Sequence, residues 1–248
     1  GGRWDEAEVQ IPSVKPIIRL SSVEPGQGVE PGQTVSGILG LQPDIVLEQC
    51  PIREVTYYVN GVEMVTVAAS PFTWECDTSS MQLFRKLDIP PSEIEVDAQG
   101  NGLLRDVVVG VKATDQKGLE GEDKVSGLEV KILHPEVKIL DPVANDIIKR
   151  EGEWRTGLED SEPDTLLVKT EVTFPYQDRD IKRVEYYLDG QQVDTTTALE
   201  WRTLDISGLG SVDEETQHTL KVRVVDELNL VAEAEIPLTL GVHIETFW

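Results

Sequence analysis

The sequence predicts an all-β chain of two tandem β-sandwich domains, because it repeats itself, alternates apolar with polar residues and carries tight-turn dipeptides at matching places. Residues 52–61 read IREVTYYVNG, and residues 181–190 read IKRVEYYLDG. Two further blocks repeat in the same order, with 70–81 matching 197–209 and 106–119 matching 218–230. Three matching blocks in one order indicate a duplicated domain.

The repeated blocks are patterned as strands. In the first half Val55, Tyr57 and Val59 alternate with outward-facing residues, and a period of two is typical of a half-buried strand. Asn60-Gly61 ends this strand with a dipeptide suited to a primed hairpin turn, since both central residues there adopt positive φ. Asp189-Gly190 does the same in the second half. The expected strands are 34–39, 53–59, 62–67, 107–113 and 124–132, then 166–173, 182–188, 191–196, 220–224 and 231–240.

About seven short strands in each half, with no helical periodicity, predict two immunoglobulin-like sandwiches with Greek-key connections. The expected divisions are an N-terminal extension at 1–15, a first domain at 16–134, a second domain at 135–240 and a tail at 241–248. Trp74 and Trp201 recur in matching blocks, and we expect both to fill the sandwich cores. Segments 82–105 and 144–164 are longer than sandwich connections need to be.

The composition excludes some classes of function. The 248 residues include 46 acidic and 22 basic side chains, for a net charge of −24. Such an excess repels the phosphate backbone, so we expect no nucleic-acid partner. No apolar run is long enough to cross a bilayer, and no signal segment stands at the start. We therefore expect no membrane insertion of this chain.

The repeated blocks resemble the bacterial Ig-like domain, which occurs in tandem in secreted and surface proteins beside von Willebrand A or glycosidase modules. The resemblance rests on 55–61 and 184–190, on 70–79 and 198–207, on 108–118 and 218–229, and on the PGQTVSG run at 31–37. The second domain departs from the pattern after Asp226, where the glycine is missing. The resemblance implies an extracellular or cell-surface location and a role as a spacer, a stalk, or an adhesive or carbohydrate-binding accessory.

The sequence shows no catalytic constellation, so we interpret the chain as a non-enzyme without a cofactor. His134, His218 and His243 follow neither a metal-ligand nor a triad spacing, and no Gly-rich phosphate loop is present. The carboxylates at matching strand ends are weak calcium candidates, since calcium prefers oxygen ligands. The alternative is that each caps a turn by accepting backbone N–H groups. The candidates are Asp77, Asp115, Asp205 and Asp226.

The two cysteines, Cys50 and Cys76, form a candidate disulfide if the chain is extracellular. The alternative is a pair of unrelated, small buried residues. In the second repeat Arg179 stands at the position of Cys50, so the fold itself does not require the bridge.

We expect a non-catalytic extracellular structural protein that spaces or links other surface elements. A second hypothesis is a carbohydrate- or protein-binding accessory or adhesion module, with an aromatic platform formed by Trp154, Phe84 or Trp4. A weaker alternative is a filament subunit that exchanges strands through the 241–248 tail. The expected partners are other surface protein domains or copies of this chain, with glycan as a further alternative.

Overall fold

The structure, a computed structural model, describes residues 13–23, 29–150, 165–175, 179–199, 201–209 and 215–242. The chain divides into two compact units. The first comprises Gly1–Ile89 and Leu103–Lys131, and the second comprises Pro90–Gly102 and Ile132–Trp248. The domain boundary expected at 134/135 stays a prediction.

Strands account for most of the described residues, which confirms the all-β prediction. They are β1 (Ile17–Ser22), β2 (Thr34–Ser36), β3 (Ile38–Leu47), β4 (Ile52–Val59), β5 (Val62–Val67), β6 (Trp74–Asp77), β7 (Glu95–Val96), β8 (Gly102–Asp115), β9 (Glu120–Ile132), β10 (Glu136–Asp141), β11 (Ile147–Arg150), β12 (Thr165–Thr173), β13 (Ile181–Leu188), β14 (Gln191–Thr196), β15 (Arg202–Asp205), β16 (Thr216–Asp226) and β17 (Val231–Val242). One α-helix, α1 (Met81–Leu87), and one 3-10 helix (Pro91–Glu93) occur among the described residues.

Both units contain two sheets with the same strand order. The first unit has a β1-β3-β6 sheet and a β2-β9-β8-β4-β5 sheet. The second unit repeats them as β10-β12-β15 and β11-β17-β16-β13-β14. In each larger sheet the short strand at one edge runs parallel to its neighbour, β2 to β9 and β11 to β17. The duplication of the sequence is therefore also a duplication of the immunoglobulin-like topology.

The predicted hairpin turns are confirmed. The φ angles are 50° at Asn60 and 79° at Gly61, and Asp189 and Gly190 have the same two values. A type I′ turn requires positive φ at both of these positions. Each turn is also joined to the adjacent strand of its sheet. The Asn60 Oδ1 accepts the Val108 N–H at 2.9 Å, and the Asp189 Oδ1 accepts the Thr219 N–H at 2.9 Å.

Tyr57 and Tyr186 occupy the centres of the two cores, and neither exposes any of its surface. The Tyr57 hydroxyl donates to the Phe72 carbonyl oxygen at 2.6 Å and lies 3.3 Å from the Leu41 carbonyl oxygen. Burial raises the pKa of both tyrosines. The second core consists of Leu166, Val168, Val184, Tyr186, Leu188, Leu204, Ile206, Leu220, Val222, Val224, Leu238 and Leu240.

The expectation that Trp74 and Trp201 fill the cores is met only in part by Trp74 and is wrong for Trp201. Trp74 is only half-buried, with its ring 5.4 Å from that of Tyr57, and Trp201 is 49% exposed. The register explains the position of Trp201. Trp74 pairs with Leu41 across β3 and β6, and the equivalent pair across β12 and β15 is Val168 with Arg202. Trp201 therefore stands one residue before β15, with its ring under Lys169 at 5.2 Å.

The segment 82–105 is not a long loop. Its first part lies in α1, which begins after the N-cap Ser80 and ends at Leu87, followed by the C-cap Asp88 with a φ of 54°. Met81 and Phe84 are buried, and their i, i+3 spacing places them on one helical face. Leu83 and Leu87 line a small apolar cavity of about 30 Å³ at the open edge of the first sandwich. The helix thus covers core surface that the β-strands leave open.

Candidate functional site

The carboxylates proposed as calcium ligands all serve as turn acceptors. Asp115 Oδ1 accepts the N–H groups of Lys117 and Leu119 at 2.8 and 2.9 Å. Asp226 makes the same pair of hydrogen bonds in the second unit. Asp77 and Asp205 each accept one N–H group two residues further on, at 2.9 Å. In the described ranges no three His, Cys, Asp or Glu side chains form a metal-binding group, and a calcium site stays a prediction.

The turn after Asp226 explains the missing glycine. In the first unit Gly118 has a φ of 80° and donates to the Asp115 carbonyl oxygen at 3.0 Å. In the second unit Asn229 takes this place, with a φ of 63° and the equivalent bond to Asp226 at 3.0 Å. Asparagine is one of the few residues that tolerates the left-handed region. The two turns are therefore equivalent despite the substitution.

Asp226 also takes part in a buried ion pair that has no counterpart among the described residues of the first unit. Its Oδ2 lies 2.8 Å from Arg179 Nη1, and both side chains are fully buried. Arg179 Nη2 donates to the Leu133 carbonyl oxygen at 2.5 Å. Burial raises the pKa of Asp226, against the lowering effects of Arg179 and the backbone N–H groups. The pair holds Leu133 to the β16–β17 turn within the second unit.

The predicted disulfide between Cys50 and Cys76 is wrong, since both cysteines are free. Cys76 pairs in register with Leu39 in β3, whereas Cys50 lies beyond Leu47 at the far end of that strand. Eight residues of extended chain span about 26 Å, well beyond the reach of a disulfide. Burial, with a smaller contribution from Asp77, raises the pKa of Cys76 to about 12, so the thiol is a small core residue.

The described histidines act in local hydrogen bonds. His134 Nδ1 lies 2.5 Å from the Pro135 carbonyl oxygen. His218 lies between Asp189 and Thr216, with Nδ1 2.7 Å from the Asp189 carboxylate and Nε2 2.7 Å from the Thr216 hydroxyl. This row has the partner order of a hydrolytic triad. The sequence analysis missed it because Asp189 lies in the β13–β14 turn, far along the chain from Thr216 and His218 of β16. A row of side chains alone does not make a hydrolase, because hydrolysis also needs N–H donors aimed at a substrate oxygen. His243 lies outside those ranges.

Phe84 does not contribute to the aromatic platform that was proposed for ligand binding. Its ring is 1% exposed, beneath α1, because the helix turns that face toward the core. Trp4 and Trp154 lie outside the described residues, as does the 243–248 part of the tail proposed for strand exchange.

A surface groove of about 600 Å³ runs across β4, β8 and β9 in the first unit. Its walls carry Tyr58, Lys112, Glu120, Glu122 and Lys124, and Gly110 lies on its floor. Lys112 Nζ lies 3.1 Å from Glu120 Oε1, and its pKa is raised by that hydrogen bond and by the nearby Tyr58, although burial opposes the shift. Sequence analysis missed this groove, although aligning the repeats places Gly110 against Lys221.

Within the described ranges no helix is both long and apolar enough to cross a membrane.

Comparison with known proteins gives similarity of fold only. No family model matches the chain, and no characterised protein matches its sequence. Similar solved structures include the fibronectin(III)-like modules of Clostridium thermocellum CbhA, at 13% identity over 92% of this chain and 100% of that one, with a TM-score of 0.33. A tetra-tandem repeat from the extending region of a large adhesion protein is 15% identical over 91% of this chain and 49% of that one, with a TM-score of 0.37. A structure from a 1.5-MDa bacterial ice-binding adhesin is 15% identical over 94% of this chain and 67% of that one, with a TM-score of 0.32. Similarity at this level carries no argument about the role of this chain.

Proposed function

We propose that this chain is a non-catalytic structural module of an extracellular or cell-surface protein, in which two Ig-like units link other surface elements and bear tension. The observation that carries this proposal is the parallel pairing of a strand near the start of each unit with the strand that ends it. Thr34–Ser36 of β2 pairs with Glu129–Lys131 of β9. In the second unit Ile147–Arg150 of β11 pairs with Thr239–Val242 of β17.

This arrangement resists force for a geometric reason. When the first unit is pulled by its two ends, the force passes through β1, which is paired with β3, to β2. The strand β2 is then drawn toward its N-terminal end and β9 toward its C-terminal end. Because the two strands are parallel, these directions are opposite, and the slanted ladder hydrogen bonds are sheared together. Two antiparallel strands pulled apart at one end would instead lose their hydrogen bonds one after another. The same reasoning applies to β11 and β17.

Packing supports the parallel pairs from the core side. Val35, at the centre of β2, is 7% exposed, and so is its partner Val130 in β9. In the second unit Leu240 is 1% exposed opposite Ile148. Sliding one strand along the other would expose these side chains, at about 25 cal/mol for each Å² of apolar surface. Core burial and backbone pairing therefore oppose the same motion.

Single-molecule force spectroscopy on the whole chain, held by its two ends, tests the proposal. We expect two separate unfolding events, each releasing roughly 350–400 Å for about 110 residues of extended chain. Val35→Pro should lower the force of one event, because proline removes the N–H group that β2 offers to β9. Val35→Ala is the matched control, since it shortens the side chain and keeps the N–H group.

The two variants separate mechanical from thermodynamic effects. At matched free energies of unfolding, set with urea, V35P should unfold at a clearly lower force than V35A. Equal forces for the two variants would overturn the shear mechanism. Unfolding of the unaltered chain without discrete force peaks would overturn the tension-bearing role itself.

A further inference from the structure

The groove in the first unit is open because a glycine faces a tyrosine. Tyr58 of β4 and Gly110 of β8 are directly paired across the sheet, on the face opposite the core. A Cβ atom built on Gly110 would meet nothing closer than 3.7 Å, the distance to the Asp123 carbonyl oxygen. A side chain could therefore stand at this position without displacing its neighbours, and none does.

The second unit shows what fits this position. Tyr187 of β13 is paired with Lys221 of β16 in the same register, so Lys221 corresponds to Gly110. The Lys221 ammonium lies 5.9 Å from the centre of the Tyr187 ring, within the range of a cation–π contact. The same ammonium lies 2.7 Å from Glu233 Oε2. One lysine thus covers the aromatic ring and is neutralised by a carboxylate on the next strand.

The first unit retains the partners of that lysine. The β8–β9 and β16–β17 turns have equal lengths, with Asp115 N bonded to Leu119 O and Asp226 N bonded to Leu230 O. Counting from these turns, Glu122 of β9 occupies the position of Glu233. Glu122 is exposed and forms no ion pair with the described part of the chain. The ring and this carboxylate are therefore present without the lysine, and Lys124 stands where the second unit has Glu235, the register partner of Lys221.

We propose that this groove binds a lysine side chain presented by a partner protein. The lysine occupies the space above Gly110, with its methylene groups along the Tyr58 ring and its ammonium at Glu122. The groove volume of about 600 Å³ lies in the range of sites that hold a drug-sized ligand, which is larger than one lysine side chain. A peptide backbone accompanying the lysine therefore fits beside it.

The surrounding charges favour such a partner. Lys112 is neutralised by Glu120 at 3.1 Å, and the Asp123 carboxylate accepts the Leu20 N–H at 2.8 Å. Lys124 flanks Gly110, with its Cβ 3.8 Å from the Cβ built there, and can donate to a carbonyl group of the partner segment. At longer range, the net charge of −24 steers basic surfaces toward the chain.

The test uses the whole chain and two short peptides, acetyl-Gly-Lys-Gly-amide and the same peptide with the lysine side chain acetylated. Titration is followed by the backbone amide shifts of 15N-labelled protein. We expect the lysine peptide to give saturable shifts at Tyr58, Gly110 and Glu122. The acetylated peptide should give none, because it lacks the cation.

Three variants make the outcome specific. G110K places a lysine in the groove, as in the second unit, and should abolish binding. E122Q should weaken binding several-fold and leave the amide spectrum elsewhere unchanged. K221G opens the matching position in the second unit and should add a second set of saturable shifts, around Tyr187.

Several outcomes would overturn the proposal. One is binding that G110K leaves intact, or that the acetylated peptide shows equally, which would mark general attraction to the acidic surface or apolar contact. Another is that the unaltered chain binds no peptide and that the spectrum of G110K without peptide changes at residues remote from the groove. In that case a segment of this chain or of a second copy already fills the groove.

Discussion

Arg179→Met should destabilise the second unit by about 3–5 kcal/mol at neutral pH, the usual cost of removing one partner from a buried ion pair. The Arg179 and Asp226 side chains are fully buried and 2.8 Å apart. Methionine fills much of the arginine volume but carries no charge, so the Asp226 carboxylate remains in the interior without its cation. The Leu133 carbonyl oxygen also loses the hydrogen bond from Arg179 Nη2.

The effect should depend on pH in a defined direction. Burial already raises the pKa of Asp226 in the folded chain, and Arg179 acts against that rise. Removing Arg179 raises this pKa further. When a carboxyl has a higher pKa in the folded chain than in the unfolded chain, the free energy of unfolding falls as the pH rises through the folded pKa. The loss of unfolding free energy in the Arg179→Met variant is therefore largest above the folded pKa of Asp226, and it becomes smaller as the pH falls through that pKa.

Urea unfolding, followed through amide signals of each unit, measures the effect, and Asp226→Asn provides the control. Asparagine keeps an oxygen that can accept the N–H groups of Leu228 and Leu230 but carries no charge. The double variant R179M/D226N should therefore recover a large part of the stability lost in R179M. A loss below about 1 kcal/mol in R179M, or no recovery in the double variant, would refute the interpretation of a buried charge that needs its partner.

Three further predictions concern single positions. Tyr57→Phe should lower the free energy of unfolding of the first unit by about 1–3 kcal/mol, because the Phe72 carbonyl loses a buried donor. Tyr186→Phe should lower the free energy of unfolding by less, since the Tyr186 hydroxyl makes no hydrogen bond of acceptable geometry among the described residues. Urea unfolding that shows a larger loss for Tyr186→Phe than for Tyr57→Phe would contradict this. Asn229→Ala should cost about 1 kcal/mol more than Asn229→Gly, because the φ of 63° there suits glycine better than alanine, and equal thermal unfolding would count against it. Iodoacetamide at about pH 8 should modify Cys50 and spare Cys76, because burial raises the pKa of the Cys76 thiol to about 12. Equal labelling of the two cysteines in mass spectrometry would disprove the interpretation of Cys76 as an inert thiol.

The strand positions and turns could be predicted because their signals are local. Alternation in β4 and β13 and the dipeptides Asn60-Gly61 and Asp189-Gly190 depend only on neighbouring residues. The helix α1 was missed because seven residues are too few to show a helical period. Its formation depends on Met81 and Phe84 finding core surface at the open edge of the first sandwich.

The errors at Trp201 and at the cysteines have a different cause. An alignment of the repeats cannot reveal a one-residue difference in where two strands begin, and this difference moves a side chain from the core to the surface. The disulfide prediction failed because spacing along the chain does not give the distance between a strand end and a strand partner. The groove at Gly110 was hidden for a related reason, since a missing side chain has meaning only once its cross-strand neighbour Tyr58 is known.

The most direct test of the tension-bearing role compares two pulling directions in the first unit. In one, force is applied through the ends of the chain, which shears β2 against β9. In the other, handles at Arg53 and Ala68 separate β4 from β5 at one end, which breaks their antiparallel pairs one after another. We predict a clearly higher unfolding force through the chain ends. An equal or lower force in that direction would contradict the account, because the parallel terminal pair would then contribute nothing to mechanical strength.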